Sequence, residues 1–191
     1  MDNKKALDVF RETGALLKGH FKLSSGLHSA EYLQCALLLQ HPERAQVFCK
    51  ELADKFKDAK PTVVAAPAIG GIVVSYEVAR ALNCRSVFLE REDGRMRLRR
   101  GFTIDKTDRV LVVEDVITTG RSTKEVLDAI NIIGANIVGI GSIVDRSCTD
   151  IDFSVDFRYV LKVRVDTFKP EECPLCRQGA PAVKPGSRKE A

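Results

Sequence analysis

Residues 110–122, VLVVEDVITTGRS, decide the fold that the sequence predicts. The stretch begins as an apolar run with the length of a buried β-strand and continues through two adjacent acids, Glu114 and Asp115. It ends in a hydroxyl-rich segment that opens an amphipathic helix. A strand that is apolar on both faces and leads directly into a helix is typical of a parallel sheet covered by helices. We therefore expect an α/β fold.

The flanking sequence extends this pattern. Further β-branched runs read TVVAA, SVFLE, NIVGIGSIV and RYVLKVRV, and helices are predicted in the gaps at about residues 71–82 and 121–134. Two helices precede them, one with apolar positions between Leu7 and Leu17 and one that begins at Pro42. The sequence thus predicts a central, mostly parallel sheet flanked by helices, with ligands bound beyond the carboxyl ends of its strands.

The chain has 191 residues, which fits one domain. We expect this domain to span residues 1–167. Residues 168–191 are rich in Pro, Gly and charge and lack periodicity, so a loosely packed tail is expected there. Residues 91–101, REDGRMRLRRG, also interrupt the strand and helix pattern and are predicted to form an arginine-rich arm.

The composition excludes several classes of protein. Hydrophobic residues make up 45% and charged residues 29%, which is typical of a globular chain and not of a disordered, collagen-like or coiled-coil one. The weakly polar stretch 63–74 is broken by Pro67, Gly70 and Gly71, and no secretory signal is visible. We expect a cytoplasmic protein without a membrane partner. The formal net charge of +4 suits anionic small molecules as well as nucleic acid.

The motif at residues 110–122 has a chemical interpretation. Carboxylates at the end of a strand can accept hydrogen bonds from a vicinal diol such as that of ribose. A loop of small residues at a helix N-terminus presents free N–H groups to a phosphate. No Gly-Lys-Ser or Gly-Lys-Thr follows, so the loop is not a Walker A motif. The combination predicts a ribose 5-phosphate site, and the alternative is a helix N-cap with an acidic first turn.

This motif resembles the phosphoribosyl pyrophosphate motif of type I phosphoribosyltransferases, and the chain is similar to the orotate phosphoribosyltransferases over nearly its whole length. The resemblance implies the type I fold, with an N-terminal hood formed mainly by residues 1–40 and a flexible loop at about 91–101. It implies transfer of the 5-phosphoribosyl group from phosphoribosyl pyrophosphate to orotate, with Mg²⁺, in pyrimidine biosynthesis. It further implies a homodimer with shared active sites.

The resemblance also assigns roles to residues. Catalytic roles fall to Glu114, Asp115 and Arg95. The residues expected to bind phosphoribosyl pyrophosphate are Gly70, Gly71, Arg91, Arg95, Arg97, Glu114, Asp115, Val116, Ile117, Thr118, Thr119, Gly120, Arg121 and Ser122. The residues expected to bind orotate are Ser25, Gly26, Thr118 and Arg146.

Five positions depart from the family pattern. Ser24 and Gly70 stand where many members carry lysine, and Glu114 stands where the family usually has aspartate. In the arm, Glu92 stands where a lysine is frequent and Arg97 where a histidine is frequent. Arg146 suits orotate because a guanidinium offers fixed donors to a carboxylate and to imide carbonyls. The alternative is a surface ion pair with Asp145 or Asp150.

In the predicted arm, Arg95, Arg97 and Arg99 are spaced by two. An extended segment therefore points their guanidinium groups to one side and Met96 and Leu98 to the other. Five arginines cannot be buried unpaired, so we expect the arm either to extend into water as a basic hairpin or to reach an anion. In the family this loop brings cations to the pyrophosphate of the neighbouring subunit.

Other functions and sites remain open at this point. A transferase for another base, or a regulator that senses phosphoribosyl pyrophosphate and binds nucleic acid, would share the fold; the latter usually needs a DNA-binding module or a broad basic face. Neither is visible, so no nucleic-acid partner is expected. Cys173 and Cys176 have the spacing of half a zinc knuckle, but no second pair is evident. We expect two reduced thiols and no metal-ligating residue.

Overall fold

The computed structural model describes residues 1–23 and 25–185. The strands are β1 (Leu16–Lys22), β2 (His28–Leu33), β3 (Val63–Pro67), β4 (Arg85–Glu92), β5 (Arg95–Leu98), β6 (Arg109–Ile117), β7 (Asn136–Asp145) and β8 (Phe157–Lys162). The helices are α1 (Asn3–Glu12), α2 (Cys35–Leu39), α3 (Pro42–Asp54), α4 (Gly71–Leu82), α5 (Arg121–Ile133) and α6 (Pro174–Arg177). Short 3-10 helices occupy Lys57–Ala59 and Pro170–Glu172.

Six of the strands form one sheet in the order β5-β4-β3-β6-β7-β8. The pairs β3 with β4, β3 with β6, β6 with β7, and β7 with β8 are parallel, and only the edge strand β5 runs antiparallel to its neighbour β4. The mostly parallel sheet predicted from the sequence is confirmed. Strands β3 and β6 lie at its centre.

Alternate residues of these central strands enter two separate hydrophobic cores. Val64 and Ala66 pack with α1, α3 and α4 on one face, whereas Val63 and Ala65 pack with α5 on the other. Successive strand residues point to opposite faces, and both faces are covered, so β3 has no polar position. This is the reason for the near-continuous apolar runs in the sequence.

The predicted helices agree with the structure, except that the first helix ends earlier than predicted. The predicted helices at 71–82 and 121–134 correspond to α4 and α5, and α3 begins at Pro42 as predicted. Helix α1 ends at Glu12, and Leu16 and Leu17 belong to β1, so the predicted helix up to Leu17 was wrong. The intervening Gly14 has a φ of +68°, which no helix residue adopts. No helix among residues 1–23 and 25–185 is long and apolar enough to cross a membrane.

The expected loose tail is also wrong for its described part, residues 168–185. Val183 pairs with Phe21 of β1, and Phe168 pairs with His28 of β2, so the segment borders the β1–β2 hairpin on both sides. Val183 exchanges backbone hydrogen bonds of 2.8–2.9 Å with His20 and Lys22, the neighbours of Phe21. Phe168 and His28 exchange hydrogen bonds of the same length with each other. Composition alone suggested disorder because it does not register pairing with a strand more than 100 residues away. Residues 186–191 of the expected tail lie outside the described residues.

Asp108 joins three segments at the amino-terminal edge of the sheet. Its carboxylate accepts hydrogen bonds from the Thr62 hydroxyl at 2.7 Å, the Arg85 guanidinium at 2.7 Å and the Asp105 N–H at 2.9 Å. Burial acts to raise the pKa of Asp108, but these hydrogen bonds outweigh it and leave the pKa below its usual value. A single charged side chain that accepts three hydrogen bonds thus joins the segments at the amino-terminal edge of the sheet.

We expect Asp108→Asn to lower the free energy of unfolding at pH 7 by roughly 1–3 kcal/mol, because charge-assisted hydrogen bonds are lost. Because the pKa of Asp108 is lower in the folded protein, its ionised carboxylate stabilises the fold above the unfolded-state pKa of about 3.9. This stabilisation is lost as the pH falls through the pKa of the folded state. The difference from wild type should therefore narrow below about pH 4. Denaturant titrations across pH measure this. Asp128→Asn, on the exposed side of α5, is the control, and a difference independent of pH would contradict the prediction.

Candidate active site

The carboxyl ends of the parallel strands carry the predicted site residues. Strand β3 ends at Pro67, β6 at Ile117 and β7 at Asp145, all at one edge of the sheet. The residues that follow are Gly70 and Gly71, the loop 118–120, and Arg146. Parallel pairing brings together segments that are separated by more than 25 residues in sequence.

Glu114 and Asp115 lie directly against the turn that follows β3. A Cβ atom on Gly70 would lie 2.7 Å from an Asp115 carboxylate oxygen, and one on Gly71 would lie 2.7 Å from Ala66 Cβ and 3.3 Å from Glu114 Oε1. Only residues without a side chain allow this approach. A side chain at position 70 would therefore displace the Asp115 carboxylate from its present position.

The two carboxylates are in an unfavourable environment for negative charge. Glu114 is 8% exposed, and its pKa is raised well above the usual value by burial and then by the neighbouring charge of Asp115. Burial also raises the pKa of Asp115, against the effect of hydrogen bonds from Glu114 and from the Val116 N–H, which donates at 2.8 Å. This pair is suited to a ligand that brings hydroxyl donors or a cation.

The loop between β6 and α5 has the form of an anion-binding helix N-terminus. Gly120 is the N-cap of α5, with a φ of +71°, and a Cβ there would meet the Phe153 ring at 2.8 Å. Gly120 has no side chain to cap the helix, and the Thr119 hydroxyl accepts a hydrogen bond from the Arg121 N–H at 3.4 Å. Glu114 and Asp115 lie within β6, so the alternative interpretation of them as a helix cap was wrong. The first N–H groups of α5 have no partner within the helix and can receive a phosphate.

Arg146 lies beside this loop. Its backbone N–H donates to the Ile117 carbonyl at 2.8 Å, and its guanidinium lies 5.5 Å from the centre of the Tyr32 ring. Asp145 instead pairs with Lys162 at 3.1 Å and accepts from Ser147, and Asp150 also pairs with Lys162. No carboxylate of the described residues pairs with Arg146, so the alternative of a surface ion pair was wrong. Burial lowers the pKa of Arg146.

The sequence analysis missed two residues of this site. Tyr32, at the end of β2, stacks on Arg146; burial raises its pKa, and the Arg146 charge opposes that rise. Cys35, the first residue of α2, is buried, and its thiol lies 3.8 Å from the Asp115 carbonyl. Both come from the N-terminal hood, more than 75 residues from the motif. No local pattern could have identified them.

Ser25 and Gly26 lie at the tip of the β1–β2 hairpin. The Gly26 N–H donates to the Leu23 carbonyl at 2.9 Å, and the Leu23 N–H donates to the Leu27 carbonyl at 2.8 Å. Within the part of the chain that the structure describes, no hydrogen bond joins this turn to the acidic pair. Ser24 lies outside the described residues. The assignment of Ser25 and Gly26 to orotate binding therefore stays a prediction.

The arginine arm forms the hairpin of β4 and β5. As predicted, Arg95 and Arg97 are exposed and Met96 is buried. Four of the five guanidinium groups, however, are bound neither by water alone nor by an external anion. They form ion pairs with acidic side chains of the same chain. Ion pairs join Arg91 to Glu125, Arg97 and Arg99 to Glu92, and Arg100 to Glu90. Among the described residues, Arg95 alone of these five has no acidic partner.

Two of the predicted phosphate-site arginines share one acid. Glu125 of α5 contacts Arg91 and also Arg121, which lies 3.1 Å away. These arginines lower the pKa of Glu125, with Arg91 having the larger effect. The side chain of Arg121 is largely exposed and points along α5, so its contribution to a phosphate site would come from its backbone N–H.

Comparison with known proteins agrees with this geometry. A family model for the phosphoribosyl transferase domain matches residues 36–169. The chain is 53% identical over 189 residues to an orotate phosphoribosyltransferase of Caldanaerobacter subterraneus subsp. tengcongensis, covering 99% of this chain and 100% of that protein. The chain belongs to the orotate phosphoribosyltransferase family. A relative from Thermotoga maritima is 51% identical, with 95% and 97% of the two chains covered.

Solved structures show the same fold at lower sequence identity. An orotate phosphoribosyltransferase from Aeropyrum pernix superposes with a TM-score of 0.70 at 24% identity, over 82% of this chain and 92% of that one. The enzyme from Mycobacterium tuberculosis gives 0.71 at 24% identity, over 85% and 97%. The type I phosphoribosyltransferase fold predicted from the sequence is confirmed.

The buried acidic pair should make the unliganded protein less stable at neutral pH than its neutralised variant. We expect Glu114→Gln to raise Tm at pH 7, by about 2–4 °C for each kcal/mol of relieved repulsion. Because the pKa of Glu114 is raised in the folded protein, its negative charge destabilises the fold at pH 7. This destabilisation is relieved as the pH falls toward the ordinary glutamate pKa of about 4.3. Thermal scans should therefore show the gain shrinking on acidification. Glu171→Gln, at an exposed position, is the control, and a lower Tm for Glu114→Gln at pH 7 would contradict the prediction.

Proposed function

We propose that this protein transfers the 5-phosphoribosyl group from phosphoribosyl pyrophosphate to orotate, a step of pyrimidine biosynthesis. The products are orotidine 5′-monophosphate and pyrophosphate. The observation that carries the proposal is the juxtaposition of the acidic pair with the Gly70–Gly71 turn on one side and the α5 N-terminus on the other. Full-length relatives that are about half identical and carry the name orotate phosphoribosyltransferase support the choice of base.

The groups of the sugar substrate have matching partners in the site. The carboxylates of Glu114 and Asp115 would accept hydrogen bonds from the two ribose hydroxyls, which supply the donors that this buried pair lacks. Residues 118–122 would surround the 5-phosphate with backbone N–H groups and with the hydroxyls of Thr118, Thr119 and Ser122. The Gly70–Gly71 turn lies beside the acids, where backbone N–H groups can approach the pyrophosphate.

Arg146 supplies the charge that the base requires. Orotate carries a carboxylate, and the half-buried Arg146 has no acid of its own chain to neutralise it among the described residues. Tyr32 holds the guanidinium from one side and leaves its donor edge available. A fixed, unneutralised guanidinium would favour orotate over bases that lack a carboxylate.

The donor set of the site also fits Mg²⁺, which we propose as the cofactor. Glu114 and Asp115 present hard carboxylate oxygens, the ligands that Mg²⁺ prefers, in a place where negative charge is poorly compensated. They are the residues that would face the ion. When bound, it would neutralise charge on the departing pyrophosphate.

The expected chemistry requires positioning more than proton transfer. The bond from C1 of the ribose to a pyrophosphate oxygen breaks as a ring nitrogen of orotate bonds to C1, with positive charge developing on the sugar. The protein therefore has to align the reactants and stabilise the leaving anion. Arg95 fits the second task, because it is the arm arginine without an internal ion pair. No histidine is required as a base.

We further propose a homodimer in which each arm serves the neighbouring site. Ile69, Val73 and Tyr76 form an exposed apolar row with helical spacing at the start of α4, immediately beside the pyrophosphate turn, and Ile69 is 80% exposed. A second copy of the chain is a suitable cover for such a row. The free state of all six cysteines supports a reducing compartment, the cytoplasm.

The proposed base specificity predicts that orotate is turned over faster than uracil, adenine or xanthine. We expect Arg146→Ala to lower kcat/KM for orotate roughly 10- to 100-fold, as for the loss of one charge-assisted hydrogen bond. Arg146→Lys should recover part of this, because it keeps the charge but not the paired donors. Pyrophosphate release with each base is the assay. Arg44→Ala, on the exposed side of α3, is the control, and equal turnover of another base would contradict the proposal.

The shared site predicts complementation between inactive variants. Arg95→Ala would damage the arm and Asp115→Asn the ribose site, each giving an inactive homodimer. In a mixed dimer one site combines the intact arm with the intact acid, and half of all dimers are mixed after random exchange, so roughly a quarter of wild-type activity should return.

The measurement is activity after the two variants are mixed under conditions in which subunits exchange. Each variant incubated alone under the same conditions is the control. If the arm serves its own chain, every site keeps one lesion, and the mixture stays inactive.

A further inference from the structure

Four metal-ligating side chains that are distant from the acidic pair in sequence converge where the C-terminal segment meets the β1–β2 hairpin. His20 of β1 and His28 of β2 face Cys173 and Cys176 of the C-terminal segment, and their ligand atoms all lie within 4.8 Å of one another. Both histidines are 7% exposed, and Cys173 is fully buried. The sequence analysis found no second pair of ligands for the two cysteines. The structure supplies one from residues about 150 positions earlier.

The distances match a closed tetrahedral site. His20 Nε2 lies 3.5 Å from Cys173 Sγ and 3.7 Å from Cys176 Sγ, and His28 Nδ1 lies 3.3 Å from Cys176 Sγ. With bonds of about 2.3 Å to sulfur and 2.0 Å to nitrogen, tetrahedral zinc separates neighbouring sulfur and nitrogen ligands by about 3.5 Å. The two ring nitrogens, 2.9 Å apart, need to separate by only a few tenths of an ångström.

The hydrogen bonding of His20 favours a metal ligand. Its Nδ1 lies 2.8 Å from the Ala180 carbonyl oxygen, which can only accept, so Nδ1 carries the proton. In the neutral ring, Nε2 then has one lone pair, and three groups approach it: His28 Nδ1, Cys173 Sγ and Cys176 Sγ. One lone pair cannot accept from all three. A cation at the centre would be bound by all four side chains, and a carbonyl on the remote ring nitrogen is the usual support of a metal-bound histidine.

The backbone around the cysteines fixes both sulfurs on one side of a turn. Helix α6 starts directly after Cys173, and the Arg177 N–H donates to the Cys173 carbonyl at 3.2 Å. The Gly179 N–H donates to the Cys176 carbonyl at 3.0 Å, and the φ of Gly179 is +73°, a value that favours glycine. The turn thus presents Cys173 and Cys176 together toward the hairpin.

We propose that His20, His28, Cys173 and Cys176 bind one structural Zn²⁺ ion. Two thiolates and two neutral imidazoles balance the charge of the ion, which suits a site where three ligands are buried and Cys176 is exposed. Four protein ligands leave no position open for substrate. The ion would attach the C-terminal segment to both strands of the hood hairpin. It would reinforce the pairings of Phe168 with His28 and of Val183 with Phe21.

The other chemistry available to this pair of cysteines is a disulfide, which would remove both thiolates from the site. The histidines distinguish the two possibilities. A redox pair has no need of two buried imidazoles aimed at its sulfurs, whereas a zinc site needs all four groups. The geometry therefore favours the metal.

The test is the metal content of the full-length protein, expressed with zinc in the medium and purified without chelators. We expect one zinc per chain by elemental analysis. Cys176→Ser and His28→Ala should each abolish stoichiometric binding. Cys148→Ser, which removes an exposed thiol outside the cluster, is the matched control and should keep one zinc. Because His28 is buried and its variant could fail to fold, circular dichroism of each variant accompanies the measurement.

Two further readouts are independent of enzymatic activity. Replacement of zinc by Co²⁺ should give the intense visible absorption of tetrahedral cobalt and a thiolate charge-transfer band, both absent in folded Cys176→Ser. Removal of the ion by a chelator should lower Tm by about 8–16 °C if free zinc is at roughly a thousand times its Kd, with no such loss in the Cys176→Ser variant.

A wild-type protein without stoichiometric metal after dialysis against zinc would overturn the proposal. So would a Cys173–Cys176 disulfide in protein purified under reducing conditions, detected by mass spectrometry, or cobalt spectra that do not change in folded Cys176→Ser.

Discussion

The site depends on one close packing contact, that of the turn after β3 against two buried carboxylates at the end of β6. Gly70 and Gly71 leave no room for a side chain beside Asp115 and Glu114. The carboxylates therefore keep a fixed position in an environment that disfavours their charge. The folded protein stores this unfavourable electrostatic energy, and a ligand with hydroxyl donors and a cation can relieve it. The poorly compensated charge of these two buried carboxylates is thus the one physical cause of both the expected binding specificity and the expected instability of the unliganded site.

Charge compensation divides the arginines of the arm and of the predicted site into two groups. Most of those in the arm, together with Arg121, are paired with acids of the same chain, chiefly Glu90, Glu92 and Glu125. Arg95 and Arg146 have no such acid among the described residues. The first is exposed on a hairpin, and the second is half-buried against the Tyr32 ring. A cation without an internal partner is available to an anionic substrate, which is why these two arginines carry the strongest predictions.

The hood and the C-terminal segment form a second structural unit built on the β1–β2 hairpin. The same strand that carries His28 also carries Tyr32, the residue that stacks on Arg146. An ion bound to the hairpin would stabilise this strand. The two sites would then have different chemistry: a closed set of soft and imidazole ligands for structure, and an open set of hard oxygens for the reaction.

The sequence by itself determined the parallel sheet, helices α3, α4 and α5, and the position of the acidic pair and of loop 118–120 between β6 and α5. Each of these is a local pattern of hydrophobic period or adjacent residue types. It also determined which face of the arm carries charge. Only the tertiary structure decided that Tyr32 lies on Arg146, that Glu125 holds Arg91 and Arg121, that α1 ends at Glu12, and that His20 and His28 meet Cys173 and Cys176. These contacts join residues far apart in the chain, and the patterns of one segment hold no information about which distant segment folds against it.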